Sequence, residues 1–478
     1  MAEFVRRAEY KKVAQPKLSE DLIPVVLTDK TMEEHRQKVL KRMEEREMDA
    51  LLLYADREHG DNFQYLTGFS PRFEEAGLVL HRTGEAFLLL GNESLRMERY
   101  SRVKARAIHV PYFSLPNQPM ETEHTMKELL ELAGLHQGMK TGIAGWKMFT
   151  SRREDNRQLY DVPYFFVEAV KQAVGDENTV SAGELFIHPE TGARILVNAN
   201  EIAHYEFGAA LASSCVGKAM NEIRPGRTEM EIAQYLAAFG QQTNVQTICA
   251  SGERFTNAIV EPRNKKIVKG EKLSITMGFP GGLTSRSGYV AAEKEELEGE
   301  AKDYMELAVK PYFSAAAAWY ETIGLGVTGG EIFEAVDRIF PKAVYGWALN
   351  PGHFVSSEEW MSSPIEKGSL IKIKSGMMLQ MDIIPQAPGR SGSSAEDGIA
   401  VADESLRKEL QAQYPQVWER IKRRRAYMEG ELGIRLKEEV LPLSDMTGYL
   451  RPYLLKQDWA MSMTDEKDQK KSYMTEGT

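Results

Sequence analysis

The sequence has few cysteines, no long apolar run and no excess of positive charge. Its 478 residues include only Cys215 and Cys249, too few for a disulfide framework or a thiolate zinc site. No apolar run approaches the roughly 20 residues of a bilayer-spanning helix. Residues 1–12 carry charges where a signal peptide would have an apolar segment. These absences predict a cytoplasmic protein in a reducing setting.

The charge balance argues against nucleic acid and membrane surfaces as partners. The formal net charge is −10 at pH 7, whereas polyanionic partners require a positively charged surface. A basic cluster at 422–425 lies in a charged, helix-like stretch with several glutamates, which predicts a solvated helix face. We therefore expect a small-molecule substrate or ligand, no nucleic acid and no membrane.

The chain is too long for a single hydrophobic core. Changes in apolar patterning predict these segments: a lead-in at 1–31, an α/β domain at 32–190, a second domain at 195–403, a C-terminal helix and extension at 404–463, and a disordered tail at 464–478. In the first domain, strands are predicted at 49–54, 63–68, 77–80 and 86–90.

The second domain contains an internal echo. Ile-Arg-Pro-Gly-Arg-Thr-Glu-Met-Glu-Ile at 223–232 returns as Ile-Gly-Leu-Gly-Val-Thr-Gly-Gly-Glu-Ile at 323–332, with five identities in ten positions. Both copies follow a long helical segment and place a glycine turn and a threonine cap before another helix. The repeat predicts a domain of two related halves, which bears on the fold and not on the chemistry.

The echo and several further motifs resemble the creatinase, prolidase and aminopeptidase P family. The further motifs are Pro351-Gly-His353, the stretches 375–382 and 395–401, and in the first domain 49–53 and 65–69. The resemblance implies an α/β (α+β) protein with a creatinase-like N-terminal domain followed by a pita-bread domain of two related halves. It also implies a homodimer.

Metal-dependent members of that family hold two divalent ions with two aspartates, a histidine and two glutamates. Hard carboxylate oxygens offset the two close cations while a bridging water is activated. On the resemblance, the aspartate positions fall at Thr276 and, eleven residues on, at Ser287. Residues 272–290 contain no Asp or Glu at all. We therefore expect no two-metal site and no metal cofactor.

The remaining family positions are only partly changed. His353 matches the ligand histidine, Glu396 matches the last glutamate, and Asp382 stands where a glutamate is usual. Trp360 occupies the position of a second histidine, seven residues beyond the first. One histidine with two carboxylates can still ligate a single zinc, manganese or iron ion, so a one-ion site at His353, Asp382 and Glu396 stays open.

Creatinase is a metal-free branch of the same family, and the pair Phe279-Pro280 resembles its sequence. Its catalytic histidine precedes the glycine turn, but 249–270 contains no histidine here, so its mechanism does not transfer unchanged. We predict a metal-independent, creatinase-like hydrolase or lyase acting on a C–N bond of a small amino-acid-derived or guanidino carboxylate. His353, Asp382 and Glu396 are the predicted catalytic residues.

Six further residues are predicted to bind the substrate: Thr276, Ser287, Arg286, Glu253, Arg254 and Trp360. Arginines that face the site would suit a carboxylate group; the alternative for each arginine is a surface ion pair. Two other functions remain open. One is a catalytically silent binding protein that kept the fold, and the other is a mononuclear metal-dependent hydrolase resembling Xaa-Pro peptidases.

Overall fold

The structure is a computed structural model and describes residues 6–255 and 260–465. Its strands are β1 Arg6–Lys12, β2 Ala50–Ala55, β3 Ala76–His81, β4 Ala86–Leu90, β5 Arg106–His109, β6 Thr141–Ala144, β7 Thr179–Ser181, β8 Ile248–Ser251, β9 Lys272–Phe279, β10 Gly282–Tyr289, β11 His353–Phe354, β12 Met377–Met381, β13 Ser394–Val401, β14 Val440–Pro442 and β15 Trp459–Asp465. Its α-helices are α1 Asp29–Glu45, α2 Asp61–Thr67, α3 Met126–Leu132, α4 Tyr164–Val174, α5 Glu184–Ile187, α6 Ala199–Asn221, α7 Glu229–Ala233, α8 Lys310–Thr322, α9 Gly329–Ile339, α10 Lys342–Tyr345, α11 Glu404–Gln413 and α12 Pro415–Gly430.

The chain forms two compact units. The smaller unit is Leu27–Ile195, and the larger unit combines Met1–Val26 with Leu196–Thr478. Most of the predicted lead-in and the whole predicted C-terminal extension therefore contribute to the larger unit. The predicted tail overlaps β15 at 464–465, and its remainder lies outside the described residues. In the part of the chain that the structure describes, no helix is both long and apolar enough to cross a membrane.

The smaller unit is built on a six-stranded sheet in the order β5-β4-β3-β2-β6-β7. The central strand β2 is buried along its whole length, pairing antiparallel with β3 and parallel with β6. Helices α3 and α4 cover the sheet with an apolar core that joins Leu52, Leu129 and Phe166. Strands that are buried throughout read as continuous apolar runs, which explains why the sequence predicts them correctly.

One predicted strand in this unit is wrong. Residues 63–67 form most of α2, and Gly68 ends the helix in the left-handed conformation at φ 78°. Phe63 and Leu66 are both buried and three residues apart, which is a helical spacing. A short apolar run fits either structure, and the glycine at its end is a helix stop signal.

The larger unit is organised around a seven-stranded sheet in the order β11-β12-β13-β10-β9-β8, with β14 also pairing to β13. Strands β9 and β10 form a hairpin in which Thr276 lies opposite Ser285. At the turn, Gly281 has φ 116°, and a Cβ atom there would lie 2.0 Å from the carbonyl oxygen of Tyr205 in α6. Only glycine permits this approach, so the turn is held tightly against the helix.

The internal repeat of the sequence, at 223–232 and 323–332, corresponds to two similar turns in the structure. Thr228 caps α7 and Thr328 caps α9, each in a capping box with a glutamate three residues later. Before each cap, Gly226 donates a backbone hydrogen bond to Ile267 and Gly326 donates one to Ile373. The fold class is therefore confirmed, including the two related halves of the second domain.

The lead-in contains a strand that the sequence does not predict. Strand β1 pairs antiparallel with β15 over its full length, and Ser19 donates hydrogen bonds from its backbone nitrogen and its hydroxyl to Asp445. In β1 only Ala8 is buried, so the strand has almost no apolar pattern to reveal it. Its partner lies at the opposite end of the chain, and local patterning cannot indicate such a pairing.

The basic cluster at 422–425 is not simply a solvated face. Arg424 is buried and forms ion pairs with Glu206 at 2.7 Å and with Asp445 at 2.8 Å. These carboxylates come from α6 and from the segment after β14. The helix predicted at the start of the C-terminal segment 404–463 is moreover two helices, α11 and α12, because Pro415 interrupts it.

Candidate functional site

The site lies on one face of the larger sheet, which we call the site face. Side chains alternate between the two faces of a strand, and paired residues share a face. By register, the side chains on the site face are Ser274 and Thr276 from β9, Ser285 and Ser287 from β10, Ser394 and Glu396 from β13, Gln380 from β12 and His353 from β11. Asp382 follows β12 directly, two residues after Gln380.

His353 is fully buried and lies between two carboxylates. Its Nε2 atom is 3.2 Å from Glu359 Oε1 and 4.0 Å from Asp382 Oδ2. Its Nδ1 atom is 3.0 Å from the carbonyl oxygen of Phe354, so Nδ1 donates to the backbone and Nε2 faces the carboxylates. Trp360 stacks on the imidazole with ring centroids 4.0 Å apart. The orientation of His353 is thus fixed from three sides.

Burial and crowding of like charges shift the pKa values of this cluster. Burial alone lowers the pKa of His353, but the Glu359 and Asp382 carboxylates outweigh it and raise that pKa above its ordinary value. Burial raises the pKa of Asp382 to about 7, with His353 opposing the rise. Burial and then the neighbouring Asp382 also raise the pKa of Glu396 well above its ordinary value. The cluster therefore retains protons near neutrality.

The other half of the site face carries neutral hydroxyls. Thr276 and Ser285 are hydrogen-bonded at 2.7 Å, and Ser394 donates to Ser285 at 3.3 Å. Ser287 lies opposite Ser274, not opposite Thr276. The tight hairpin thus makes Ser285 the direct partner of Thr276, which an eleven-residue spacing does not predict.

Arg286 does not face the site. Its side chain lies on the other face of the sheet, where it pairs with Asp397 at 2.5 Å. Its Nε atom donates to the carbonyl of Tyr449, and its terminal nitrogens donate to further carbonyls, including that of Met446. Every nitrogen of the guanidinium is engaged, so the prediction that Arg286 binds a substrate carboxylate does not hold.

The other charged candidates are also placed elsewhere. Arg254 forms an ion pair with the fully buried carboxylate of Glu229 and donates to the carbonyl of Glu261 at 2.7 Å. Glu253 is exposed beside it. Glu229 also accepts hydrogen bonds from Ser251 and Arg263. The guanidinium of Arg254 is therefore engaged by Glu229 and by the carbonyl of Glu261, and it is not available to a ligand on the site face.

Glu359 is the member of the cluster that the sequence did not single out. It is one residue before Trp360, and its side chain is 24% exposed. The family motif indicates positions 353 and 360. The loop between them contains two acidic residues, Glu358 and Glu359, and the sequence does not indicate which of the two contacts His353. The contact with His353 depends on how this loop folds back, which the spacing alone does not show.

Among the described residues, two buried polar atoms on or beside the site face have no hydrogen-bond partner. They are Asp382 Oδ1 and Ser274 Oγ. Buried polar groups are usually paired, and leaving one unpaired costs roughly 1–3 kcal/mol. These atoms are therefore available to pair with water or with a polar ligand.

The donor set of the site suits one divalent ion better than two. The ligand atoms of His353, Glu359 and Glu396 all lie within 4.8 Å of one another, and histidine nitrogens and carboxylate oxygens are both ligand types for zinc. The neighbouring strands β9 and β10 contribute the hydroxyls of Thr276, Ser285 and Ser287 to the site face. Neutral hydroxyls do not offset a second buried dication.

Comparison with known proteins identifies the family. A family model described as metallopeptidase family M24 matches residues 203–403, and one described as the creatinase/prolidase N-terminal domain matches residues 35–188. The chain belongs to the creatinase, prolidase and aminopeptidase P family. The family model that matches residues 203–403 is one of peptidases. The chain therefore belongs to a family of hydrolase-like proteins.

Solved structures of the family share the fold. The Xaa-Pro dipeptidase from Bacillus anthracis is 17% identical, with a TM-score of 0.57 over 78% of this chain and 96% of that chain. The prolidase from Pyrococcus horikoshii OT3 is 19% identical, with a TM-score of 0.58 over 77% and 95%. The recombinant prolidase from Thermococcus sibiricus is 16% identical, with a TM-score of 0.59 over 79% and 96%. A search of curated protein sequences gives no significant match.

Proposed function

We propose that the chain is a metal-independent hydrolase that breaks a C–N bond of a small, nitrogen-rich molecule. The observation that supports this proposal is the position of His353 between the carboxylates of Glu359 and Asp382, at 3.2 and 4.0 Å. C–N hydrolysis needs a base that takes a proton from water and an acid that gives one to the leaving nitrogen. The cluster contains both kinds of group side by side.

Each member of the cluster has a role in this proposal. Asp382 Oδ1 has no partner and takes the proton of the attacking water. His353, kept protonated by Glu359, donates a proton to the leaving nitrogen. Glu396, which accepts a hydrogen bond from Gln380 Nε2 at 2.7 Å, binds the positively charged nitrogens of the substrate. Acid–base catalysis of this kind contributes roughly 10²–10⁴-fold to a rate.

The proposal is tested with a panel of guanidino compounds, N-methyl amino acids and Xaa-Pro dipeptides. Product release is measured for the wild type and for His353→Ala, Asp382→Asn and Glu359→Gln. We expect turnover of at least one nitrogen-rich compound and losses of roughly 10²-fold or more in kcat for His353→Ala and Asp382→Asn. The matched control is Glu366→Gln, an exposed glutamate of the following loop.

Two results would contradict this proposal. Turnover that survives His353→Ala and Asp382→Asn at the wild-type rate removes the assigned acid and base. Binding without turnover across the whole panel, detected as a rise in Tm, favours the alternative of a catalytically silent binding protein.

A second candidate function is a mononuclear metal-dependent hydrolase. It is favoured by the approach of His353, Glu359 and Glu396 ligand atoms to within 4.8 Å of one another. A divalent ion held there would polarise a scissile carbonyl group and acidify a bound water. Loss of turnover on chelation, with recovery on adding zinc or manganese, would favour this candidate over the metal-independent one. The Glu359→Gln variant should then also lose metal affinity.

We also propose a homodimer located in the cytoplasm. The support is the family relationship, since members of this family usually pair. Light scattering coupled to size-exclusion chromatography should give about twice the chain mass of 53.9 kDa. A mass equal to one chain at micromolar concentration would contradict the dimer.

A further inference from the structure

Lys272, at the start of β9, lies on the site face. It shares that face with Thr276, four residues further along the strand, because side chains alternate between the two faces. Thr276 is level with Ser285 and Glu396 in the register of the sheet, and the three form one row across it. Four residues of strand separate Lys272 from that row, which is roughly 13 Å. Lys272 therefore lies well away from the cluster around His353, on the same face.

The side chain of Lys272 is held by a backbone contact, two aromatic rings and a hydroxyl. A Cβ atom at Gly392 would lie 3.2 Å from both Cδ and Cε of the lysine, so the lysine stem packs directly on that glycine. The ammonium group is 5.6 Å from the ring centroid of Phe255 and 5.8 Å from that of Tyr289. It donates to Ser391 Oγ at 3.0 Å, and the serine keeps its own proton. A lysine has three N–H donors, so two of them and the serine O–H group remain for a further acceptor.

Among the residues that the structure describes, no carboxylate forms an ion pair with Lys272. The half-buried Lys265, on the preceding segment, pairs with Glu271 at 2.9 Å, and Arg254 and Arg286 pair with fully buried carboxylates. Burial lowers the pKa of Lys272, and no acidic group raises it again. Taking a charge out of water without a counter-ion is costly, and contacts with aromatic rings recover only part of that cost. Lys272 is thus a half-buried cation without an anion.

The stretch of the site face between Lys272 and the row of Thr276 carries neutral hydroxyls. Ser274, Ser287 and Ser394 are level with one another there. Ser274 Oγ is buried and has no hydrogen-bond partner. A hydroxyl both donates and accepts hydrogen bonds without carrying charge. This stretch therefore suits a neutral, polar part of a ligand, with the positive charge of Lys272 at one end.

We propose that Lys272 binds a carboxylate group of the ligand, and that this ligand is an elongated molecule. The inference rests on the proposed hydrolase only for the position of the reacting nitrogen, which lies beside Asp382, level with Glu396. The single ammonium group matches a single negative charge, and the Ser391 hydroxyl donates a second hydrogen bond to it. With a hydrogen bond of about 3 Å at each end, the roughly 13 Å between the rows leaves about 7–10 Å for the ligand.

The test compares ligands that differ in one feature. 8-Aminooctanoate, 8-aminooctanamide and 3-aminopropanoate are titrated into the wild-type protein by calorimetry. The first has its carboxylate about 9 Å from its nitrogen, the second replaces the carboxylate by a neutral amide, and the third is too short to join the two rows. We expect 8-aminooctanoate to bind at least about tenfold more tightly than either of the others, because each of them loses a charge-assisted hydrogen bond.

Variants of Lys272 assign the preference to this residue. Lys272→Met should abolish the preference for 8-aminooctanoate over its amide, and Lys272→Arg should keep most of it. The matched control is Lys269→Met, at an exposed lysine of the same segment, which makes the same change in net charge and should keep the preference. Without ligand, Lys272→Met should have a Tm no lower than the wild type, because it removes a charge that has no counter-ion.

The outcomes separate this inference from the hydrolase proposal. Equal binding of 8-aminooctanoate and its amide overturns the inference and leaves the hydrolase standing, and so does a failure of all three compounds to bind. A preference that survives Lys272→Met, or a lower Tm of that variant, removes the assignment to Lys272. Equally tight binding of 3-aminopropanoate overturns the elongated ligand. The expected preference without turnover of any nitrogen compound supports the inference and contradicts the hydrolase. The comparison of ligands decides in the wild type even if a variant fails to fold.

Discussion

Arg286 and Asp397 form a buried ion pair on the face of the sheet opposite the site. Their side chains are 1% and 0% exposed, and Asp397 also accepts from Thr284 and Ser444. Removing one partner leaves a buried charge uncompensated, at a cost of roughly 3–5 kcal/mol. Arg286→Met should therefore lower the free energy of unfolding by about that amount, measured by urea denaturation.

The double variant Arg286→Met with Asp397→Leu separates a structural role from a ligand-binding one. Replacing both charges by apolar groups should cost less than the single change, because no charge is left unpaired. The exposed Arg153→Met serves as a control and should stay within about 0.5 kcal/mol of the wild type. A single variant as stable as the wild type would contradict the assignment.

Asp382 should make the stability of the protein fall as the pH rises. Burial raises its pKa to about 7 in the folded state, against about 3.9 in an unfolded chain. Between these values the folded protein holds a proton that the unfolded chain releases, so stability decreases with pH by up to roughly 1.4 kcal/mol per unit. Asp382→Asn removes this dependence.

The expected result is that Asp382→Asn gains stability relative to the wild type between pH 5 and pH 8. Chemical denaturation at both pH values measures the difference, and Asp303→Asn is the matched control at an exposed aspartate. An equal difference between variant and wild type at pH 5 and pH 8 would show that the carboxyl group titrates as it does in water.

At the scale of secondary-structure elements, the two echoed turns should contribute equally to stability. The hydroxyls of Thr228 and Thr328 each accept a hydrogen bond at 3.2 Å, from the backbone nitrogens of Glu231 and Glu331. Loss of such a cap costs typically about 1 kcal/mol. Thr228→Ala and Thr328→Ala should each lower the free energy of unfolding by about this amount, and serine at either position should restore it. A loss of stability in only one of the two alanine variants would contradict the equal contribution of the two turns.

The sequence predicts well whatever depends on local pattern. Buried strands such as β2, the capped turns and the motif positions of His353 and Glu396 are all visible in it. Helix α2 is mistaken for a strand because its apolar run is short. Strand β1 is missed because its partner is at the far end of the chain.

For the site, the sequence identifies the residue types but not the face of the sheet on which each side chain lies. It predicts the loss of carboxylates from β9 and β10, since no Asp or Glu occurs there in any register. It does not show that Arg286 points away, because a one-residue change of register moves a side chain to the other face of a strand. It also misses Glu359, which reaches His353 only through the fold of its loop.

At the scale of the whole molecule, the chain combines the family fold with a site face on which β9 and β10 contribute no acidic residue. The sheet and the two related halves are kept, while one half of the site face carries hydroxyls and the other keeps His353 with its carboxylates. We propose that this face does not hold a pair of metal ions.

The most direct test of that claim is a count of bound metal. The protein is saturated with manganese or zinc, desalted, and analysed by inductively coupled plasma mass spectrometry against protein concentration. We expect no more than one tightly bound ion per chain, because the hydroxyls of Thr276 and Ser285 cannot offset a second dication. Two tightly bound ions per chain would contradict it.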